Sequence, residues 1–257
     1  MPDSAIMHHS TVEQQDAPGR LTRLLVSWQH PTTRTYHAVA MLYKARKQYE
    51  FAYLRRAQHL TGFRPFPGFS KLTRRYRSPR LFPLFSERVM DPSRPDRPRW
   101  LSALALDEEA PPMEILARSG GHRQGDSIEV LPEPSVSPSG RTSCDFMVHG
   151  VGHQAGAGDR ISALKVGDPL RLVKDLGNEV NPRALLVTAS SAEPLGWIPD
   201  PLLDYVHDVR NTATSSVRVL RANGPEVGNH LRLLVRLEGI VESGYRPFSG
   251  RDWDTLA

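Results

Sequence analysis

Three features that mark particular classes of protein are scarce or missing in this sequence. It contains a single cysteine, Cys144, among 257 residues, so it can form neither an internal disulfide nor a cysteine-rich zinc site. No apolar run approaches the roughly 20 residues that a membrane-spanning helix needs. Residues 1–18 are polar and lack the apolar stretch of a secretory signal peptide. We therefore expect a cytoplasmic protein that makes no membrane contact and has a disordered tail at residues 1–18.

Known motifs for nucleotide binding and catalysis are also missing. The sequence has no GxxxxGKS/T phosphate loop, no GxGxxG after a strand, no HExxH and no GxSxG. The stretch GHQAGAG at residues 152–158 resembles a phosphate loop but lacks its lysine and hydroxyl. The spacing of His149 and His153 would suit zinc on a helix, but the glycines between them and the strand before them argue against one. We expect a non-enzymatic protein with no catalytic residues, no metal and no cofactor.

The composition favours a β-rich globular protein. Hydrophobic residues make up 39% of the chain and charged residues 24%, which is typical of a folded domain. The 22 prolines and 19 glycines predict short elements and many turns. We expect a mainly β fold with a few short helices, of the α+β class.

Positive charge is concentrated in one segment. The net charge is +5, and residues 44–99 contain fifteen Lys and Arg against four Asp and Glu, whereas residues 135–257 contain thirteen against fourteen. A basic segment is typical of binding to nucleic acid or another acidic partner, and also of a solvated face. Its arginines Arg74, Arg75 and Arg77 lie among aromatic residues, which would allow phosphate pairing beside base stacking.

The first half of the chain, residues 19–134, reads as a small β-sheet domain. Apolar and aromatic runs at 21–28, 35–43 and 48–54 predict three strands in a meander. Residues 63–98 are rich in Pro, Arg and Phe, which disfavours a regular helix and predicts an irregular arm whose aromatic residues pack on the sheet. Short helices at 100–106 and 113–117 and a strand at 127–131 complete this half.

Proline and serine mark residues 135–142 as a linker, and the second half, residues 143–257, again predicts strands. One clear helix is expected at residues 200–209, with Asp200 as its N-cap and Pro201 at its first position. The strands predict a small, OB-like, partly closed antiparallel barrel covered by this helix.

Four short stretches of the second half resemble the HIRAN domain, a small β-barrel module found alone and in helicase-like DNA repair proteins. They are Val148–Val151, Gly167–Lys174, Asn178–Val187 and Pro194–Pro199, in the order and spacing of the family. The resemblance covers residues 145–239 and implies DNA binding, in the best-understood members at single-stranded 3′ ends. The family's first strand and its N-P-Y-D loop form the pocket for the DNA end.

The resemblance implies a set of DNA-contacting residues, which are His153, Gln154, Lys174, Asn178, Asn181 and Arg183. Val180 and Asn181 stand where the family has tyrosine and aspartate, so the loop has lost a stacking ring and a carboxylate. Asparagine also forms turns well, and Asn178 and Asn181 are open to either interpretation.

Residues 38–134 resemble the small N-terminal subdomain of HipA-family toxin kinases. The similar stretches are YEFAYL, RSPRLFPLF and EILARSGGHRQGDSIEVLPEP, while the kinase core has no counterpart. This resemblance implies a protein-docking module. The alternative function is therefore a regulatory interaction protein whose residues 19–134 bind a HipA-like kinase or another protein, in a bacterial toxin–antitoxin or phage-defence setting.

Overall fold

Two antiparallel sheets and a few short helices make up the described part of the chain. The computed structural model describes residues 23–45, 47–123, 125–212 and 214–257, and the tail expected at residues 1–18 lies outside them. The fold is mostly β, as the composition predicts. Among the described residues no helix is long and apolar enough to cross a membrane.

The first sheet is built on the predicted meander. Its five strands have the order β4-β3-β2-β1-β5, with β1 (Arg23–Gln29), β2 (Tyr36–Ala45), β3 (Gln48–Tyr53), β4 (Tyr76–Ser78) and β5 (Ile128–Pro132). Strand β5 returns to pair with β1, so that Ile128 lies opposite Trp28. The beginning of β5 and the end of β1 therefore meet at one end of the sheet.

The Pro/Arg/Phe arm packs its aromatic rings onto this sheet, as predicted. Phe66, Phe69 and Phe85 are buried around the ring of Phe51. The hydroxyl of Tyr53 accepts a hydrogen bond of 2.6 Å from the backbone N–H of Phe66, which fixes the course of the arm. Apart from β4, its regular structure is limited to the single-turn helix α1 (Pro83–Ser86).

Two further helices of the first half begin at prolines. They are α2 (Arg97–Ala103) and α3 (Pro112–Ser119), and each has a proline in its first turn, where the missing N–H costs nothing. Helix α3 ends at Gly120, whose φ of 68° is left-handed, the usual conformation after a helix. Gly120 turns the chain back into β5.

The second sheet contains seven strands in the order β10-β9-β8-β11-β12-β7-β6. Their bounds are β6 (Ser135–Val136), β7 (Arg141–Met147), β8 (Pro169–Lys174), β9 (Leu185–Thr188), β10 (Pro194–Trp197), β11 (Ser216–Ala222) and β12 (Leu233–Ile240). Just beyond β7, His149 exchanges two backbone hydrogen bonds of 2.9 Å with Trp197 of β10. This bridge ties the two ends of the sheet together, so the sheet is partly closed and the described strands form no complete barrel.

Helices cover the second sheet on the side of its core. Helix α4 (Ala157–Ala163) packs near β10, and α5 (Leu203–Arg210) lies on β12. The approach of α5 is close, since a Cβ on Gly239 would lie 2.5 Å from Val209 Cγ1. Helix α5 is the predicted covering helix, and a 3₁₀ turn at Asp200–Leu202 precedes it.

The segment predicted as a linker differs from that expectation. Residues 135–142 form most of a hairpin, in which Val136 pairs with Thr142 and Gly140 takes a φ of 79°. The buried Thr142 hydroxyl also bonds the Ser135 carbonyl oxygen at 2.7 Å. Proline and serine here shape a turn at the edge of the second sheet because backbone and hydroxyl partners are within reach.

The two halves share buried contacts. One apolar cluster contains Leu25, Met41 and Leu54 of the first half together with Leu203 and Val206 of α5. The division into domains at residues 134 and 143 stays a prediction, but the side chains along this boundary are packed together rather than separated by solvent.

Candidate functional site

A cleft of about 790 Å³ opens where the two halves meet. The first half contributes the β1–β2 turn, the end of α3 and the start of β5. The second half contributes the segment after β7, the β8–β9 loop and the end of β10. Its volume falls within the range of small-molecule and cofactor pockets.

The segment after β7 is shaped by a glycine. Gly150 has a φ of 67°, and a Cβ there would lie 2.4 Å from the ring of Trp197. A side chain at this position would therefore meet both backbone strain and a steric clash. The tight packing of Gly150 on Trp197 turns His149 toward the first half and leaves His153 exposed at the cleft.

His149 forms an ion pair with Glu129 of β5 across the boundary between the halves. Its Nε2 lies 2.5 Å from Glu129 Oε1, with 25% of the His149 side chain and 11% of the Glu129 side chain exposed. Burial lowers the pKa of His149, but the carboxylates of Glu129 and Asp200 outweigh it, and the pKa is raised above its ordinary value. The ring also packs against Tyr36, with 5.5 Å between centroids. Among the described residues no hydrogen bond reaches its Nδ1.

The asparagines of the β8–β9 loop use their side chains to shape the loop. Asn178 Oδ1 accepts hydrogen bonds from the backbone N–H groups of Val180 and Asn181, at 3.2 and 2.8 Å. Asn181 Nδ2 donates to Asp200 Oδ1 at 2.8 Å. Both residues line the cleft, and both form turns, so the contacts support the turn-forming interpretation without removing the residues from the site.

Asp200 does not cap the helix that follows it, so the predicted N-cap is wrong. The 3₁₀ turn begins after Pro199, and no side chain caps it. The Asp200 carboxylate instead contacts Asn181 and, at 3.4 Å through Oδ2, the backbone N–H of Tyr36. These two donors draw the carboxylate away from the helix and into the cleft.

A pair of histidine rings stands at another part of the cleft wall. His122, which follows α3, and His230, which precedes β12, have ring centroids 4.3 Å apart and an interplanar angle of 36°. Both residues are exposed and both line the cleft. Partial desolvation of its ring and the neighbouring His122 lower the pKa of His230 to about 4.

Of the residues implied by the HIRAN resemblance, the structure brings His153, Asn178 and Asn181 to the cleft. Gln154, Lys174 and Arg183 are not among the residues that line it. Lys174 is exposed at the end of β8. Arg183 pairs with Asp204 of α5.

The arginines of the arm lie away from the cleft. They belong to β4 or directly precede it, at the opposite edge of the first sheet from β5. Arg75 and Arg77 each pair with Glu50 at 3.2 Å, and Arg74 lies over the Tyr76 ring at 5.1 Å. One carboxylate therefore offsets part of the charge that the sequence places in the arm.

Several cleft residues escaped the sequence analysis. Glu129, Tyr36 and His122 come from the first half and meet the second half only in the folded chain, so no local pattern marks them. Trp197 lies within the HIRAN-like stretch Pro194–Pro199 and Asp200 directly follows it, and this position is a signal that could have found them.

No group of three or more His, Cys, Asp or Glu side chains within the described ranges could hold a metal ion. The sulfur of Cys144 is buried, which raises the pKa of the thiol. The described part of the cleft offers hydrogen-bonding groups, imidazoles and carboxylates.

Comparisons with known proteins give two structural likenesses. No family model matches the chain, and no curated protein matches it. A crystal structure of a protein from Lactobacillus plantarum is 16% identical, with a TM-score of 0.31, over 40% of this chain and 100% of that one. The crystal structure of the HIRAN domain of human HLTF is 15% identical, with a TM-score of 0.30, over 41% of this chain and 91% of that one. At these values neither likeness assigns a family or a function, and neither tests the HipA resemblance.

Proposed function

We propose that this chain is a non-enzymatic DNA-binding protein that recognises single-stranded DNA or DNA ends through a HIRAN-like second half. One observation carries the proposal. The two stretches singled out by resemblance, residues 148–151 and 178–187, both contribute to a single cleft of about 790 Å³. Hydrogen-bonding groups and planar rings line it together, which is what an unpaired nucleotide requires.

The β8–β9 loop has Asn181 where the HIRAN family has an aspartate. Asp200 supplies a carboxylate acceptor in its place. Its carboxylate has about four lone-pair sites, and the two contacts from Asn181 and Tyr36 leave acceptor capacity facing the cleft. A terminal hydroxyl group of a strand can donate to such a carboxylate. A terminal phosphate would be repelled by it, so the cleft should prefer a free hydroxyl end.

Donors for the rest of the nucleotide stand nearby. His149, His153 and Arg34 all line the cleft, and Arg34 lies in the β1–β2 turn with a left-handed φ of 60°. Because the acidic residues Glu129 and Asp200 lie among them, the cleft has little net positive charge. We expect capture of an end rather than a strong non-specific grip on the backbone.

The test is fluorescence anisotropy at low salt with three probes: a single strand with a free 3′ hydroxyl, the same strand with a 3′ phosphate, and a blunt duplex. Wild type should prefer the free end by about tenfold or more, because a hydrogen bond to a charged group is worth about 1.5–3 kcal/mol. Asp200→Asn should lose most of this preference. Asp208→Asn is the matched control, since Asp208 is an exposed aspartate of α5 that accepts a hydrogen bond from the Tyr245 hydroxyl outside the cleft.

Two results would overturn the proposal. Undetectable binding to all three probes would exclude DNA as the ligand. Equal binding to all three, lost on changing Arg74, Arg75 and Arg77 to alanine, would replace end recognition by a basic-patch mechanism.

A further inference from the structure

The cleft contains one pair of rings whose arrangement suits a nucleobase. The imidazoles of His122 and His230 face each other with centroids 4.3 Å apart, and each comes from a different half of the chain. Both side chains are exposed and line the cleft. Each ring covers one face of the other, which leaves the outer faces of the pair for a base to stack on.

Trp197 and Tyr36, two other aromatic side chains of the cleft, already have partners within the protein. The Trp197 ring is covered by Gly150, and its Nε1–H donates to Asp175 at 2.8 Å. The Tyr36 ring packs on His149. The β8–β9 loop presents Val180, with 63% of it exposed, and a valine gives a base contact area but no ring to stack on.

The charge state of His230 also favours stacking. Partial desolvation of its ring and the neighbouring His122 lower the pKa of His230 to about 4, so its ring is uncharged at neutral pH. An uncharged imidazole offers its π-face to a base as other aromatic rings do. The acceptor Asp200 lines the same cleft as the two rings.

We propose that the His122–His230 pair is the platform on which the terminal base of a bound single strand stacks. This inference rests on the proposed function. It gives the terminal base a binding site of its own, in addition to the contacts of the cleft with the sugar–phosphate backbone of the strand. Because a π-face is common to all four bases, the platform should accept each of them with similar affinity.

The experiment compares wild type, His230→Ala, His230→Phe and His122→Ala by anisotropy. The probes are a single strand with a free 3′ hydroxyl and the same strand with an abasic 3′-terminal nucleotide. On the intact strand His230→Ala should bind about tenfold more weakly, as expected for loss of a base–aromatic stack. His230→Phe should bind within about twofold of wild type, because a ring remains. On the abasic strand all four proteins should bind alike and weakly.

His207→Ala is the control, because His207 is a partly exposed histidine on α5 outside the cleft, bonded to the Arg183 carbonyl oxygen. Circular dichroism melts of every variant separate lost binding from lost folding. If wild type prefers the free hydroxyl end but His230→Ala loses the same affinity on intact and abasic strands, the platform is refuted while the proposed function stands. If wild type binds neither strand, both fail together.

Discussion

Replacing Glu129 with glutamine should weaken the protein in a way that depends on pH. The side chains of Glu129 and His149 are both largely buried, and Glu129 Oε1 lies 2.5 Å from His149 Nε2. Glutamine keeps the size of the side chain and an oxygen that can accept from Nε2–H, so it removes the charge alone. A hydrogen bond to a charged group contributes about 1.5–3 kcal/mol and a neutral one about 0.5–1.5 kcal/mol, so we expect removal of the charge to cost about 1 kcal/mol at pH 6.

The sign of this pH dependence follows from the direction in which the pKa of His149 is shifted. The folded-state pKa of His149 is raised above its ordinary value, since the nearby carboxylates outweigh the opposing effect of burial. A raised pKa means that the ion pair contributes fully below about pH 6.5, the unperturbed value, and that this contribution disappears as the pH rises through the folded pKa. The charged or titratable groups that line the cleft together with His149 are Arg34, Tyr36, His122, Asp126, Glu129, His153, Asp200 and His230.

The assay is urea unfolding of wild type and Glu129→Gln at pH 6 and pH 8.5, with the His149 ring titrated by NMR. The difference in unfolding free energy should be larger at pH 6 than at pH 8.5. His149 should titrate above 6.5 in wild type and lower in the variant, and His149→Gln assigns its resonance. A free-energy difference that is equal at both pH values, or a wild-type pKa at or below 6.5, would show that Glu129 does not hold a proton on His149.

Three further outcomes are expected. Gly150→Ala should destabilise the fold by more than the roughly 1–3 kcal/mol of backbone strain alone, because its Cβ would also meet Trp197. Gly167→Ala, with a φ of 90° and nothing within 4 Å, should cost only the strain in thermal melts; equal costs would contradict the clash. Cys144 should not react with a thiol reagent in the native state, since it is buried and its pKa is raised; rapid labelling without denaturant would contradict its burial. Changing the three arm arginines to alanine should make DNA binding less dependent on salt, by the amount expected for the loss of fewer than three phosphate contacts, because two of the arginines pair with Glu50. A decrease that corresponds to three contacts would mean that all three arginines are free to bind DNA.

Much of the fold could be predicted from sequence because its rules are local. Apolar and aromatic runs predict β1 to β3, and Pro201 predicts that helical structure begins near residue 200. The hairpin at residues 135–142 shows the limit of this reasoning. Its proline and serine content is that of a linker, and only the partners that Val136 finds in β7 make it part of a sheet.

The candidate site was harder to predict because its contacts join distant parts of the chain. Asn178 and Asn181 were found through a resemblance, whereas Asp200 was assigned to a helix cap by a rule that considers only its neighbours. The hydrogen bond from Asn181 Nδ2 to the Asp200 carboxylate forms only in the folded chain. It favours a position of Asp200 in the cleft over one at the helix cap. Glu129 lies 20 residues before His149 in the numbering, and no spacing rule relates a buried carboxylate in one sheet to a histidine beyond the end of another.

The walls of the cleft depend on contacts between the two halves, which links ligand binding to the packing of one half on the other. Glu129 pairs with His149, His122 faces His230, and the Tyr36 N–H contacts Asp200; in each case one partner comes from each half. If the halves separate, each of these groups loses the neighbour that orients it, and the cleft no longer exists as one surface. A ligand that needs the assembled cleft therefore stabilises the docked arrangement by mass action, by about 2.7 kcal/mol at a concentration 100 times its Kd.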